Sequence, residues 1–357
     1  ADYNTAVGKN ALYTNTTGER NVAMGALALD ANTTGTYGVA IGYSALGANT
    51  TADGNTAVGY NVLGANTTGA ANVGLGKDAL AANTTASNNT AVGVGSLGAN
   101  TTGRDNTALG FSAGITNTTG LENTAIGMYA LRFNTTGNHN VALGLQALHR
   151  NTTASDNTAV GYLALDSNTT GTENTAVGAA AGDALTEGGL NVAVGASALG
   201  VDTKGSRNVA VGVSALNQQN FTSATNSYNT GVGYQAGGAV TTGTNNTLIG
   251  GLSGDALTTG YENVAIGTSA LGADTRGGVS VAIGINALSS QNFTSVTAAY
   301  NVAVGANAGL SVTTGTHNTF IGGLAGDANT TGYYNVAVGT SALSANTTAI
   351  SNTAVGY

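Results

Sequence analysis

Apolar and polar positions follow one short pattern that returns every 17 residues from Asn4 to Asn208. The repeat is N-[TV]-A-[VIL]-G-x-x-A-L-x-x-N-T-T-G-x-x, and we number its positions from one, the leading Asn, to seventeen. It begins 21 times, last at Asn352, with Gly38 and Ser280 in place of the Asn and with Gly at position five every time. A fixed period of this length predicts one small structural unit stacked on its own copies.

Within a repeat, β-branched residues at positions two and four flank a small residue at position three, which is typical of a short strand. The Gly at position five ends that strand, because Gly adopts backbone conformations closed to other residues. Positions eight and nine begin a second extended segment, and Asn15 and Gly18, at positions twelve and fifteen, make the second corner. The prediction is an all-β, parallel β-solenoid (β-roll) with two short strands in each 17-residue coil. Helices are excluded by the regular Gly and β-branched residues.

The chain is expected to be one continuous solenoid over 1–357, with uniform coils over 1–207 and a 72-residue superperiod in the coils of 208–357. That longer period is already visible from Asn174, and two coils in this part have 21 residues. Their extra residues predict a bulge, in which Phe221 and Phe293 either fold back as plugs or stand out as contact points. Because both chain ends fall inside a repeat, we expect a fragment of a longer fibre, or ends covered by another copy.

Stacking brings equivalent residues together, so two apolar columns are predicted to form the core. They are Val58-Leu75-Val92 at position four and Leu63-Leu80-Leu97 at position nine. The small residues of position three permit close approach by another backbone, from the opposite wall of the coil or from another chain. Leu248 and Phe320 are the exceptions there.

Position twelve is Asn in ten successive coils, Asn15 to Asn168, which predicts an inward amide ladder. Four later coils carry an apolar residue at position twelve and Gly at position nine, so the two positions are expected to share one interior space. The apolar residues are Leu185, Val240, Leu257 and Val312, and the glycines are Gly182, Gly237, Gly254 and Gly309. The coils of Gly114 and Gly326 keep Asn117 and Asn329, so the exchange is incomplete. The Asn-Thr-Thr triplets also match a glycosylation acceptor, and Asn-linked or Thr-linked sugar is the alternative to the ladder.

Composition narrows the function. Charged residues make up 7% of the chain and the net charge is −8, which argues against nucleic-acid or anionic-membrane binding. There is no Cys and no apolar run of membrane-spanning length. The prediction is a chain without catalytic, cofactor-binding or metal-binding residues, and not an enzyme.

Three sets of residues are candidates for a metal site or a ligand contact. His139, His149 and His317 have no metal-ligand spacing and are expected at the surface. Asp183, Asp255 and Asp327 are expected to cap turns, with a cation site as the alternative. The four tyrosines at position six either pack along the coil edge or are exposed for a ligand; they are Tyr43, Tyr60, Tyr162 and Tyr234.

Ser280-Val281-Ala282-Ile283-Gly284 and similar pentapeptides resemble the head repeats of trimeric autotransporter adhesins, the YadA-like family, and repeats of phage tail fibres and large surface proteins. The resemblance implies a left-handed β-roll, a homotrimer and an extracellular or cell-surface location, and it carries over no catalytic residues. The 17-residue period is longer than is typical of that family.

The favoured function is a structural or adhesive fibre, about 100 Å long at the strand spacing, that associates with copies of itself as a homotrimer or head-to-tail filament. A host surface or a glycan is a candidate ligand. The alternative is a phage or virus tail-fibre segment. An ice-binding solenoid is less favoured because Thr16 and Thr17 are adjacent and point to opposite faces, and a polysaccharide-degrading enzyme because carboxylates do not cluster.

Overall fold

The computed structural model describes residues 2–357, and they fold as a parallel β-solenoid. The chain forms two compact units, the first ending at Glu173 and the second running from Asn174 to Tyr357. The second unit therefore begins where the 72-residue superperiod begins. That all 357 residues form one continuous solenoid stays a prediction.

Each coil contributes one strand of three residues, at positions two to four. The first unit contains β1 (Thr5–Val7), β2 (Val22–Met24), β3 (Val39–Ile41), β4 (Thr56–Val58), β5 (Val73–Leu75), β6 (Thr90–Val92), β7 (Thr107–Leu109), β8 (Thr124–Ile126), β9 (Val141–Leu143) and β10 (Thr158–Val160).

The second unit has eleven such strands and four of two residues. They are β11 (Thr175–Val177), β12 (Val192–Val194), β13 (Gly205–Ser206), β14 (Val209–Val211), β15 (Thr225–Asn226), β16 (Thr230–Val232), β17 (Thr247–Ile249), β18 (Val264–Ile266), β19 (Gly277–Gly278), β20 (Val281–Ile283), β21 (Thr297–Ala298), β22 (Val302–Val304), β23 (Thr319–Ile321), β24 (Val336–Val338) and β25 (Thr353–Val355).

Neighbouring strands pair in parallel, and equivalent positions face each other. Thr56 pairs with Val73, 17 residues later, and Val209 pairs with Thr230 across a 21-residue coil. The predicted stacking is confirmed. Handedness stays a prediction from the resemblance.

The second half of the coil differs from the prediction, because positions eight and nine are not extended. In the coil that begins at Asn55, positions seven, nine and seventeen have φ of 56°, 52° and 55° at Asn61, Leu63 and Ala71. These left-handed residues make a chain of turns, which still bonds to its neighbours. Leu63 N–H donates to the carbonyl of Ala79 at 3.1 Å.

The interior is lined by positions three, eight and nine, and one predicted apolar column was wrong. Ala57, at position three, and Leu63 are fully buried, whereas Leu75, at position four, is 46% exposed. Position four points outward because the Leu of position nine fills the narrow interior and leaves room only for a small residue opposite. The close approach that small residues permit is therefore to the opposite wall of the solenoid: a Cβ added to Gly231 would lie 2.9 Å from Leu216 Cγ.

Side-chain volume is exchanged across this interior, as predicted for positions nine and twelve. A Cβ on Gly254 would lie 2.9 Å from Leu257 Cδ1 and 2.7 Å from Leu248 Cδ2. Leu248, the large residue at position three, therefore occupies the same interior space as the side chains of positions nine and twelve. The same exchange accounts for the large side chain of Phe320 at position three. A Cβ on Gly309 would lie 2.9 Å from the Phe320 ring, so Gly at position nine accommodates either replacement.

The insertions of the 21-residue coils fold back on the solenoid. Phe221 and Phe293 are each 6% exposed, so they are plugs and not contact points. Each insertion adds a two-residue parallel pairing, β13 with β15 and β19 with β21.

Candidate interaction surfaces

Two Asn ladders hold the coils in register. The ladder at position twelve was predicted from the sequence, and the ladder at position one was not. At position twelve, Asn83 Nδ2 donates to Asn66 Oδ1 at 2.8 Å, and Asn83 is fully buried. At position one, Asn72 N–H donates to Asn55 Oδ1 at 2.8 Å. The signal for this second ladder was the Asn that leads 19 of the 21 repeats.

The hydrogen bonds of the position-twelve ladder bear on whether its Asn residues can carry Asn-linked sugar. Asn66 Nδ2 donates to Asn49 Oδ1 at 3.0 Å and to the Gly69 carbonyl at 2.9 Å, and its side chain is fully buried. Such an amide has no free position for a sugar in the folded chain. The ladder interpretation is confirmed, and Asn-linked sugar is incompatible with the buried members of this ladder.

Buried carboxylates replace the Asn ladder in two coils, where no site was predicted from the sequence. Asp202, fully buried at position twelve, accepts from Gln219 Nε2 at 2.6 Å and from the backbone N–H of Gly205 at 3.0 Å. Asp274 accepts from Gln291 Nε2 at 2.6 Å in the same way. The Asn-to-Asp change at position twelve, followed by Gln one coil later, was the available signal. These groups are satisfied inside the fold and present nothing to a ligand.

The strand face is the first candidate surface. We use this name for the outward side chains of positions two and four. In the first unit its exposed apolar members include Val7 (57%), Met24 (43%), Ile41 (38%) and Leu109 (46%). No charged residue occupies positions two or four of any repeat. The face is therefore a regular and uncharged array, in which position two is Thr in six coils of the first unit and Val in four.

A column of exposed residues at position six borders the strand face. The rings of Tyr43 and Tyr60 are 49% and 52% exposed and stack on each other at 5.5 Å. These two rings pack along the coil edge and remain exposed, and a ligand for the position-six tyrosines stays a prediction. Lys77 follows Tyr60 in this column, and the coils after it contribute exposed Val94, Phe111, Met128, Leu145 and Tyr162.

The histidines differ in their surroundings. The side chains of His139 and His149 are 53% and 12% exposed. His149 is half-buried at the surface: its ring centre lies 5.1 Å from that of Phe133, and its Nδ1 lies 3.3 Å from Asp166 Oδ1. Burial lowers the pKa of His149 and outweighs the opposing effect of Asp166. His317 is exposed and lies 4.8 Å from the Tyr334 ring.

The three superperiod aspartates do not form a cation site. Asp183, Asp255 and Asp327 occupy position ten of separate coils, and within residues 2–357 no three His, Cys, Asp or Glu are grouped to hold a metal. Burial raises the pKa of Asp255, and a hydrogen bond to its own backbone opposes this effect. Turn capping by these aspartates stays a prediction.

No protein-family model matches the chain, and no curated protein has significant sequence similarity to it. Within residues 2–357 no helical segment has the length and hydropathy needed to traverse a lipid bilayer. The proposal for the function therefore depends on the geometry of the candidate surfaces.

Proposed function

We propose that this protein is a non-catalytic structural segment of an extracellular fibre, in which copies of the chain associate side by side through the strand face. The observation that carries the proposal is the uncharged outer surface of a parallel sheet, in which position four is apolar in every coil and position two is Thr or Val. Parallel sheets are normally covered on both faces. Here the inner face packs on the Leu column, and positions two and four of the outer face are half-buried or exposed.

The size of this surface suits a protein partner. Ten coils of the first unit at a strand spacing of about 4.8 Å give about 48 Å, and positions two to six span about 13 Å, so the strand face and the bordering column at position six together measure about 600 Å². Apolar residues fill position four along this band, and exposed apolar patches of a few hundred Å² mark interaction sites. A stable protein interface buries about 800 Å² on each partner, so the strand face and the position-six column of one unit together approach that size.

A second copy of the chain is the partner that fits best. The strand face is uncharged and repeats at the strand spacing, so an identical face presents matching ridges. Uncharged surfaces also lack the electrostatic selectivity with which proteins distinguish a charged partner. The motif's resemblance to trimeric adhesin heads supports three copies, displayed outside the cell for attachment.

The test is the mass of the protein in solution, measured by light scattering after size-exclusion chromatography. Wild type is expected to be a trimer. The double variant Leu75→Glu/Leu109→Glu places two carboxylates on the strand face, and it is expected to be monomeric with an unchanged circular dichroism spectrum. The control is Thr68→Glu/Thr102→Glu, at position fourteen, where Glu187 occurs naturally.

A wild type that stays monomeric at every concentration contradicts the proposal. So does a strand-face variant that keeps the wild-type mass. Imaging of the native particle by electron microscopy then tests for three-fold symmetry across the fibre.

A further inference from the structure

The exposed threonines of position fourteen have no structural role that explains their constancy. All ten coils of the first unit carry Thr there, and every one is exposed. They are Thr17, Thr34, Thr51, Thr68, Thr85, Thr102, Thr119, Thr136, Thr153 and Thr170.

The neighbouring Thr of position thirteen shows the contrast. Thr67 Oγ1 donates to the Thr84 carbonyl at 3.1 Å, and the same bond links successive coils at this position. This hydroxyl explains why position thirteen is Thr. The hydroxyl of Thr68, one residue later, makes no hydrogen bond within the protein and faces solvent.

The backbone does not require Thr at position fourteen either. In the second unit Glu187 and Lys204 occupy this position and form an ion pair at 2.8 Å. Glu187 N–H donates to the carbonyl of the next coil at 3.3 Å, as Thr68 N–H does at 3.3 Å. Long charged side chains therefore fit the same conformation. Neither the backbone nor a hydrogen bond inside the protein accounts for the constant Thr at position fourteen, which leaves the solvent-facing hydroxyls as its explanation.

The surface of the chain has a matching need for hydration. Soluble globular domains contain about 25% charged residues on average. Here 26 residues of 357 are Lys, Arg, Asp or Glu. A covalent sugar coat supplies hydration without charge, and glycosylation is a bulky, solubilising surface modification.

We propose that the position-fourteen threonines of the first unit are sites of O-linked glycosylation. The Thr Oγ1 attacks the anomeric carbon of a sugar activated as a nucleotide diphosphate. The Oγ1–carbon bond forms, the bond from that carbon to the phosphate oxygen breaks, and the nucleoside diphosphate leaves. A base of the transferase takes the hydroxyl proton. Acceptors about 4.8 Å apart would hold sugars in a stacked row along the coils.

The chain's basic residues make a direct test practical. Trypsin cleavage after Arg104, Arg132 and Arg150 releases peptides 105–132 and 133–150, each with one Thr-Thr pair. Native protein from its source is digested, and electron-transfer fragmentation assigns any added mass to a residue. Whole hexose or N-acetylhexosamine units are expected on Thr119 and Thr136.

The adjacent residues are internal controls. Thr118 and Thr135 are expected unmodified because their hydroxyls are bonded to the next coil, and Asn117 and Asn134 because they are buried. Both peptides at their unmodified mass would overturn the proposal. Sugar confined to the control residues would overturn it equally, since exposure would then not select the acceptor. The result does not depend on how copies of the chain associate.

Discussion

Removal of one amide from the position-twelve ladder tests how the coils are held together. Asn83 is fully buried and takes part in three side-chain hydrogen bonds. Its Nδ2 donates to Asn66 Oδ1 at 2.8 Å and to the Ala86 carbonyl at 3.0 Å, and its Oδ1 accepts from Asn100 Nδ2 at 3.0 Å. Asn83→Ala deletes all three bonds without altering the backbone pattern.

The cost follows from the groups that lose their partner. The Ala86 carbonyl still accepts from Asn72 Nδ2 at 2.9 Å, so it stays satisfied. Asn66 Oδ1 and one N–H of Asn100 are left unpaired in the interior. Each orphaned group costs about 1–3 kcal/mol, so the expected loss is about 2–6 kcal/mol. A water molecule in the vacated space sets the lower end of that range.

Amide hydrogen exchange measured by mass spectrometry detects this loss where it occurs. Because each coil contacts only its neighbours, protection is expected to fall mainly in residues 55–105, the coil of Asn83 and the coils on either side of it. A loss of about 2–6 kcal/mol corresponds to a drop of about 1.5 to 4 decades in protection. Thr85→Ala, exposed and unbonded in the same coil, is the control and should stay within about 0.5 kcal/mol. Unchanged protection in Asn83→Ala would refute the ladder as a source of stability.

Three further predictions follow from the interior. Gly76→Ala should lower the unfolding free energy by about 3 kcal/mol in thermal melts, because φ is +122° and a Cβ would lie 2.8 Å from a carbonyl oxygen of the next coil. Gly54→Ala, with φ of +67° and no atom within 4 Å, should cost about 1 kcal/mol, and an equal loss in both would contradict the steric argument. Phe320→Ala should lower the unfolding free energy by about 3–5 kcal/mol in urea unfolding. Adding Gly326→Leu should recover part of this loss, because it restores the usual pair of a small residue at position three and Leu at position nine. No recovery would refute the idea that these two positions share one interior space. Burial raises the pKa of Asp255 above its ordinary value of 3.8, so the stability of the wild type falls as the pH rises above that value. Asn carries no charge at any pH. Asp255→Asn should therefore stabilise the fold at neutral pH and leave its stability unchanged below pH 3.8. Urea melts at pH 3 and pH 7 check this, and a gain of equal size at both would contradict it.

The period was the part of the fold that the sequence predicted well. Each position of a coil lies on its own copy, so the period alone names the residues that stack on Asn83 or Leu63. The position-twelve ladder was predictable because Asn alternated with Leu185 and Leu257 in step with Gly at position nine. Volume can only be exchanged in this way between residues that share one space.

The inside of the strand was not predictable from hydrophobicity alone. The stronger apolar residue, Leu75, faces outward, whereas Ala57 faces the core. In a coil this narrow, volume decides which residue lies inside, because Leu63 already fills the space opposite. The left-handed backbone of Leu63 was also missed, since a β-branched-rich repeat favours extended structure and a Leu carries no signal for positive φ.

The candidate surfaces were predicted in outline only. The tyrosines of position six were identified because aromatic residues recur at one position. The burial of His149 depends on Phe133 and Asp166 in neighbouring coils, and those positions vary from repeat to repeat. The free hydroxyls of position fourteen could be separated from the bonded ones of position thirteen only with hydrogen-bond geometry.

Engineered disulfides test the stacking of coils most directly, because the chain has no Cys of its own. Thr90, Thr107 and Thr124 share position two, and Thr107 pairs with both of the others in the parallel ladder. A strand spacing of about 4.8 Å lies within the Cα separation that a disulfide spans, and twice that spacing lies beyond it. Mild oxidation should therefore form an intramolecular disulfide in Thr90→Cys/Thr107→Cys and none in Thr90→Cys/Thr124→Cys. Equal cross-linking of both pairs, or of the second pair alone, would contradict a solenoid in which each residue lies against the one 17 positions later.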